Sequence, residues 1–207
     1  MEAYLTPVNF FLALVATTTL LAVIIQWRLS LIVLLVQYLI TAALLAVYVS
    51  IQAAALTLLS GALVASVLFA SARVVEAHPG NPGFVPEGPR RAAVWSASLT
   101  GLLLRALALA VVGTGILGTA LGQVGFEGGA ATLVPAVWLA VVGILFVVMA
   151  RATFAAGLGL ITLLMGLAAF YVAVNESPII LGLLAIIQVL VALAIAYGMG
   201  QPETDGV

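Results

Sequence analysis

Residues 28–71, RLSLIVLLVQYLITAALLAVYVSIQAAALTLLSGALVASVLFAS, contain two long apolar runs that meet at a short polar hinge near Ser50 and Gln52. Arg28 opens the first run, and no other charged residue follows it before Arg73. Each run reaches the roughly 20 residues that a helix needs to cross a hydrocarbon core about 30 Å thick. The stretch therefore predicts a transmembrane helical hairpin.

The composition of the whole chain predicts an integral membrane protein. Of its 207 residues, 65% are hydrophobic and only 6% are charged, and the mean hydropathy is +1.36. Water-soluble domains carry about a quarter charged residues. Backbone in lipid must satisfy its own hydrogen bonds, and the alternating pattern of barrel strands is missing from the sequence. We therefore expect an all-α fold, a polytopic transmembrane helical bundle.

Further apolar runs bring the predicted number of spans to about seven. The predicted spans are 8–25, 31–49, 53–72, 98–121, 134–149, 154–174 and 178–197. They form two three-helix units joined by one connecting helix. The predicted parts are the first unit (1–73), a Pro/Gly-rich cytoplasmic loop (74–97), the connecting helix (98–122), the second unit (134–198) and a cytoplasmic tail (199–207).

The basic residues predict the orientation of these spans. With seven spans, all six fall on the side of the C-terminus, namely Arg28, Arg73, Arg90, Arg91, Arg105 and Arg151. Cytoplasmic loops carry an excess of basic residues. We therefore expect a multi-pass protein of the inner (plasma) membrane, with the N-terminus outside and the C-terminus in the cytoplasm. Trp27 and Trp95 are expected at the cytoplasmic interface and Trp138 at the outer one.

An alignment of the first hairpin with residues 151–198 predicts an internal repeat. An offset of 123 residues sets Arg28 against Arg151 without a gap, and Tyr48 then meets Tyr171 just before a polar hinge. Because the copies are about four spans apart, they share one orientation, which makes the repeat parallel rather than inverted. Chance identity between two helices rich in Leu, Ala and Val is the alternative to duplication.

Residues 151–174, RATFAAGLGLITLLMGLAAFYVAV, resemble the second helix of a known family of membrane subunits. This family comprises the K-type subunit of respiratory complex I and the C-type subunit of multisubunit cation/proton antiporters. Its second helix opens with arginine and carries a Gly-Leu pair, here Gly159-Leu160. With RLS at 28–30, nearly the whole chain looks like component E of hydrogenase-4 and formate hydrogenlyase complexes. The resemblance implies antiporter-like membrane subunits as partners, together with the lipid bilayer.

The chain departs from that family at the positions that handle protons. Family members carry an intramembrane glutamate directly after the Gly-Leu pair and a second acidic residue in the next helix. Here the first position is Ile161, and the polar side chain near the middle of the last span is Gln188. A proton relay needs groups that titrate near neutral pH, and glutamine does not. We therefore expect a scaffold rather than a proton conduit.

Three polar residues within the predicted spans are candidates for an intramembrane site, namely Arg105, Gln188 and Gln37. Arg105 either pairs with an anionic group of a partner helix, lipid or quinone, or extends to the interface from the first turns of its span. The two glutamines either line a solute path or, as we expect, form hydrogen bonds between helices. The threonines at 17–19 are expected to bond to their own helix backbone.

Gly118 and Gly122 form a small-xxx-small pair, which favours close helix packing within the chain or against a partner. No metal or cofactor site is predicted, because the chain has no cysteine and one histidine, and His78 lies among carboxylates at irregular spacing. No catalytic residue is predicted, since no nucleophile–base pair or phosphate-binding loop is found. The net charge of −1 gives no indication of a nucleic-acid partner.

These features favour a non-catalytic integral membrane subunit of an ion-translocating redox or antiporter complex. The sequence leaves open whether that complex is an enzyme, such as an oxidoreductase. One alternative is a small-solute transporter or channel, whose polar cavity would be lined by Gln37, Gln188 and threonines. Another is a structural or assembly protein of a respiratory or photosynthetic supercomplex.

Overall fold

The computed structural model describes residues 7–23, 27–76, 107–111, 113–115, 118, 130–150, 153–175 and 177–199. Within these ranges the long helices are α1 (Pro7–Val23), α2 (Trp27–Tyr48), α3 (Ile51–Glu76), α4 (Ala130–Met149), α5 (Thr153–Val174) and α6 (Pro178–Met199). Residues 107–111, 113–115 and 118 are also helical, and no strand occurs in the described ranges. The prediction of an all-α chain is confirmed.

Among the described residues, five helices are long and apolar enough to cross a membrane. These candidate spans are Trp27–Tyr48, Ile51–Val74, Thr132–Met149, Phe154–Val174 and Ile179–Gly198. In α1 the apolar part, Val8–Leu21, is shorter. Most of the predicted span 98–121 lies outside the described residues. The fold is therefore that of a polytopic membrane protein, while the total of about seven spans stays a prediction.

A tight turn joins α2 to α3 at the predicted polar hinge. The backbone N–H groups of Val49 and Ser50 both donate to Leu45 O at 2.9 Å, which closes the end of α2. Ser50 Oγ then accepts a hydrogen bond from the Ala53 N–H at 3.2 Å. This N-cap contact satisfies an amide that has no partner within the first turn of a helix. The two apolar runs consequently fold back on each other as an antiparallel hairpin.

The helices of the two halves of the chain pack against each other. Helix α1 contacts α2 and α4, α3 contacts α2 and α6, and α5 contacts α4 and α6. Smaller contacts join α2 to α4 and to α5. This packing brings the buried faces of α2, α3 and α6 together.

Three glycines let α4 and α5 approach each other closely, and we call Gly143, Gly159 and Gly166 the glycine seam. A Cβ added at Gly166 would meet the backbone nitrogen of Ala140 and would lie 2.9 Å from Ala136 O. A Cβ added at Gly159 would lie 2.7 Å from Val147 N. Because backbone atoms cannot rotate away as a side chain does, this helix separation requires glycine.

Trp138 links α4 to α1 in the interior of the described chain, and its place at the outer interface stays a prediction. Its side chain is 1% exposed. The indole Nε1–H donates to Thr18 Oγ1 at 3.2 Å, and the ring packs edge-on against Phe11 at 5.9 Å between centroids. The threonines at 17–19 donate to backbone carbonyls of α1 at 2.7–3.0 Å, as expected. The Thr18 oxygen thereby remains able to accept from the indole, which requires a partner when buried.

Arg28 and Arg73 lie at the same end of the α2–α3 hairpin, and both are exposed. Arg28 Cζ is 5.2 Å from the centroid of the Trp27 ring, and Arg73 Cζ is 4.8 Å from that of the Phe69 ring. The two rings lie 6.1 Å apart. Exposed cations beside aromatic rings are typical of a membrane–water interface.

Candidate functional site: a polar junction between the two halves

Polar side chains of α2, α3 and α6 meet in the interior, and we call Tyr38, Thr41, Thr57, Ser60 and Gln188 the polar junction. All five side chains are buried. At 1.5 Å per residue, Tyr38 lies about 15 Å before the end of α2, and Gln188 lies about 15 Å after the start of α6. Both residues are therefore near the middle of a hydrocarbon core about 30 Å thick.

The Tyr38 hydroxyl donates a hydrogen bond to Gln188 Oε1 at 3.1 Å. Tyr38 is 1% exposed and Gln188 is 2% exposed. This is the kind of interhelical bond expected of Gln188, and it joins the first half of the chain to the second. Such bonds contribute about 0.6–2 kcal/mol within a bilayer.

Gly61 of α3 provides the space in which the Tyr38 ring lies. A Cβ added at Gly61 would lie 2.5 Å from Tyr38 Cγ and 2.9 Å from Tyr38 Cβ. These atoms are at the base of the side chain, so any larger residue at position 61 would displace the whole ring. The contact between Tyr38 and Gln188 therefore depends on Gly61.

A cavity of about 10 Å³ lies within the polar junction. Its lining residues are Thr41, Leu45, Leu56, Thr57, Ser60, Met165, Ala168, Ala169, Leu181, Ala185 and Gln188. The polar groups come from α2, α3 and α6, whereas α5 contributes only apolar side chains. A cavity of this size accommodates about one water molecule.

Gln37 adjoins Tyr38 in sequence but takes no part in the polar junction. Its side chain is fully buried, and neither Nε2 nor Oε1 has a hydrogen-bond partner in the described part of the chain. The interhelical bond expected of Gln37 is therefore not found among those residues. An unpaired buried polar group costs about 1–3 kcal/mol, so Gln37 in this arrangement opposes folding.

The described helices carry their charged residues at one end only. Arg28, Arg73 and Glu76 are the only Asp, Glu, Lys, Arg or His residues in the described ranges, and all three lie at the same end of the α2–α3 hairpin. The buried polar side chains of those ranges belong to Ser, Thr, Gln, Tyr and Trp, none of which titrates near neutral pH. Across the described residues, no group of three or more His, Cys, Asp or Glu could hold a metal ion.

The other predicted site residues lie at or beyond the edge of the described ranges. Arg105 and Gly122 fall outside them. A Cβ added at Gly118 would have no heavy atom of the described chain within 4 Å. Close packing at Gly118 against a partner helix therefore stays a prediction. Gly113 instead faces Trp138, whose ring would lie 3.3 Å from an added Cβ.

Sequence reasoning identified Gln188 but missed the residues that surround it. On α3 the missed residues are Thr57, Ser60 and Gly61, followed by the buried Val64. Their spacing of three and four residues places them on one helix face. A small and polar face on a helix otherwise rich in Leu and Ala indicates a packing surface, and this signal could have found them.

Comparison with known proteins gives no relative from which a role could be taken. No protein-family model, curated protein or solved structure matches the chain. The resemblance of residues 151–174 to K-type subunits therefore stays a proposal.

Proposed function

We propose that the chain is a non-catalytic integral membrane subunit of an ion-translocating redox or antiporter complex, in which it acts as a scaffold rather than a proton conduit. The observation that carries this proposal is the neutral interior of the described helices, whose buried polar groups are hydroxyls, carboxamides and an indole. Proton relays in membranes use chains of Asp, Glu or His. Described helices whose buried polar groups are all neutral can contribute packing surfaces and interhelical hydrogen bonds.

In this proposal the chain crosses the inner (plasma) membrane about seven times, with the N-terminus outside and the C-terminus in the cytoplasm. Support comes from the exposed Arg28 and Arg73 at one end of the α2–α3 hairpin, which the positive-inside rule assigns to the cytoplasm. The opposite end, where Tyr48 packs against Phe10 at 6.4 Å between ring centroids, would then face outwards.

We also propose that the two three-helix units are parallel copies. The offset of 123 residues makes α1, α2 and α3 correspond to α4, α5 and α6. The corresponding helices touch, because α1 contacts α4, α3 contacts α6 and, over a smaller area, α2 contacts α5. Contacts between like elements are those expected of units related by a two-fold axis, which supports duplication over chance identity.

The proposed partners are antiporter-like membrane subunits. Their identity rests on the resemblance at residues 151–174, and apolar outer surface is available for them or for lipid. Helix α6 offers such a surface, with Ile179 82% exposed and Leu190 58% exposed. Only 22% of the most apolar stretch of this helix is buried inside the protein.

Purification of the tagged full chain in a mild detergent, with mass-spectrometric identification of co-purifying chains, tests this proposal. We expect antiporter-like membrane subunits to co-purify in a fixed ratio. Purification as a single species that moves a solute in liposomes would contradict the proposal.

A small-solute transporter is the second candidate, and the polar lining of the cavity at Gln188 favours it. The cavity of about 10 Å³ has room for about one water molecule, so transport would require a wider state. Gln188→Leu separates the two candidates. If Gln188→Leu assembles normally but loses transport, the chain is a transporter. If the wild-type chain and the variant both assemble and neither moves a solute, the chain is a scaffold.

A further inference from the structure

We propose that the cavity of the polar junction is a binding site for a single water molecule, which links α3 to α6 across the two halves of the chain. This inference goes beyond the proposed function, because it does not depend on which complex the chain belongs to. It is carried by the size of the cavity, by the hydrogen-bonding state of the groups that line it and by their lack of charge.

The size of the cavity and the four polar side chains in its mostly apolar lining match one water molecule. Its volume is about 10 Å³, close to the roughly 10–15 Å³ at which a cavity admits one water. Apolar cavities stay dry, and a stable buried water needs about two to four polar partners. The lining supplies four candidate partners, namely Thr41, Thr57, Ser60 and Gln188.

The hydroxyl groups of the lining offer oxygen lone pairs, because their hydrogens are already used. Thr57 Oγ1 donates to Ala53 O at 2.9 Å, and Ser60 Oγ donates to Thr57 O at 2.9 Å. Thr41 Oγ1 donates to Gln37 O at 2.9 Å. A hydroxyl has one donor and two acceptor sites. A ligand at these oxygens must therefore be a hydrogen-bond donor or a cation.

Gln188 supplies the complementary donor. Its Oε1 accepts from the Tyr38 hydroxyl at 3.1 Å, and its Nε2 adds two N–H donors to a lining whose hydroxyl groups otherwise offer only acceptors. A water molecule can donate both of its hydrogens to hydroxyl oxygens and accept one from Nε2. This combination gives the water three hydrogen bonds, within the two to four that a buried water needs.

A cation fits the same lining poorly. The lining of the cavity contains no carboxylate, so nothing there would balance the charge of a cation near mid-membrane, where an unpaired charge is costly. The Nε2 hydrogens of Gln188 also carry positive partial charge, which repels a cation. The ligand that fits the hydroxyl acceptors, the Nε2 donor and the uncharged lining is therefore a neutral molecule of the size of water.

Solid-state NMR of the full chain in lipid nanodiscs, with ¹⁵N-labelled glutamine, tests the site directly. The signal of the Gln188 side-chain amide is identified as the one that is missing from the spectrum of Gln188→Leu. We expect a magnetisation-transfer cross-peak between this amide and water in the wild-type chain. The double variant Thr57→Val with Ser60→Ala removes two acceptors at little cost in volume, and we expect it to abolish the cross-peak. If the double variant fails to fold, Thr57→Val alone is compared, with a weakened cross-peak expected.

The matched control is Thr19→Val with Ser66→Ala. Thr19 and Ser66 also donate to their own helix backbone, at 2.7 Å each, but are exposed, and the cross-peak should persist without them. A wild-type amide without the cross-peak would overturn the proposal, as would a cross-peak unchanged in the junction variants. A shift of the Gln188 amide when sodium replaces choline at constant ionic strength would show a cation site instead and would also overturn it.

Discussion

The glycine seam and the polar junction join helices by opposite means. At the seam, α4 and α5 approach until an added Cβ at Gly166 would meet backbone atoms of the neighbouring helix. At the junction, side chains stand between the helices, hydrogen-bond across them and leave a cavity of about 10 Å³. Lipid provides no hydrophobic drive between helices, so association relies on close packing and on interhelical hydrogen bonds. The chain uses close packing within its second half and interhelical hydrogen bonding between its two halves.

This difference indicates which kinds of substitution each region tolerates. The seam should be sensitive to volume, because its neighbours are backbone atoms. The junction should be sensitive to hydrogen-bonding capacity, because each buried polar group left without a partner costs free energy. Thermal unfolding in detergent, calibrated as free energy of unfolding, measures the effect of a substitution in either region.

The largest effect is expected at the seam. Gly166→Ala would force α4 and α5 apart, and overpacking against backbone should lower the free energy of unfolding by about 2–3 kcal/mol. Gly182→Ala is the matched control, since an added Cβ at Gly182 meets nothing within 4 Å of the described chain. Alanine is preferred over glycine in a helix by about 1 kcal/mol, so Gly182→Ala should stabilise. Equal effects of the two changes would show that the seam is not closely packed.

The next effect is expected at the junction. Gln188→Leu removes the acceptor of the Tyr38 hydroxyl and leaves that hydroxyl buried without a partner. The expected loss is about 1–2 kcal/mol. Tyr38→Phe in the same background should recover part of it, because the stranded hydroxyl is then absent. Additive losses in the double variant would mean that the two side chains do not interact.

A smaller effect is expected where α1 meets α4. Thr18→Val removes the acceptor of the buried Trp138 indole, with an expected loss of about 1 kcal/mol. Thr19→Val is the control, because the exposed Thr19 bonds only to its own helix backbone in the described structure. A loss as large for Thr19→Val would assign the effect to helix propensity rather than to the indole.

The smallest effect is expected at Gln37. Its buried carboxamide has no partner in the described chain, so Gln37→Leu should leave stability unchanged or raise it by up to about 1 kcal/mol. This outcome would be the reverse of that for Gln188→Leu, although both changes replace a buried glutamine by leucine. A loss similar to that of Gln188→Leu would show that Gln37 has a partner in the folded protein.

Composition and hydropathy were sufficient to predict the helical class and the hairpin at Ser50, because lipid leaves the backbone few alternatives. They were insufficient to predict the partner of Trp138, because its acceptor Thr18 lies 120 residues away in the sequence. Composition and hydropathy also could not predict that Gln37 and Gln188 have different surroundings. Both are single glutamines in apolar helices, and only the packing of α2 against α3 and α6 gives one of them a partner.

The claim of a scaffold with a neutral interior is tested most directly by ion flux through the purified chain alone. The full chain is reconstituted into liposomes that contain either a pH-sensitive or a sodium-sensitive dye, and proton and sodium uptake are followed under an imposed membrane potential. We predict uptake no faster than in liposomes without protein, because none of the buried polar side chains of the described helices titrates near neutral pH. Uptake above that level that is abolished by Gln188→Leu would contradict the account and would make the polar junction part of a conduit.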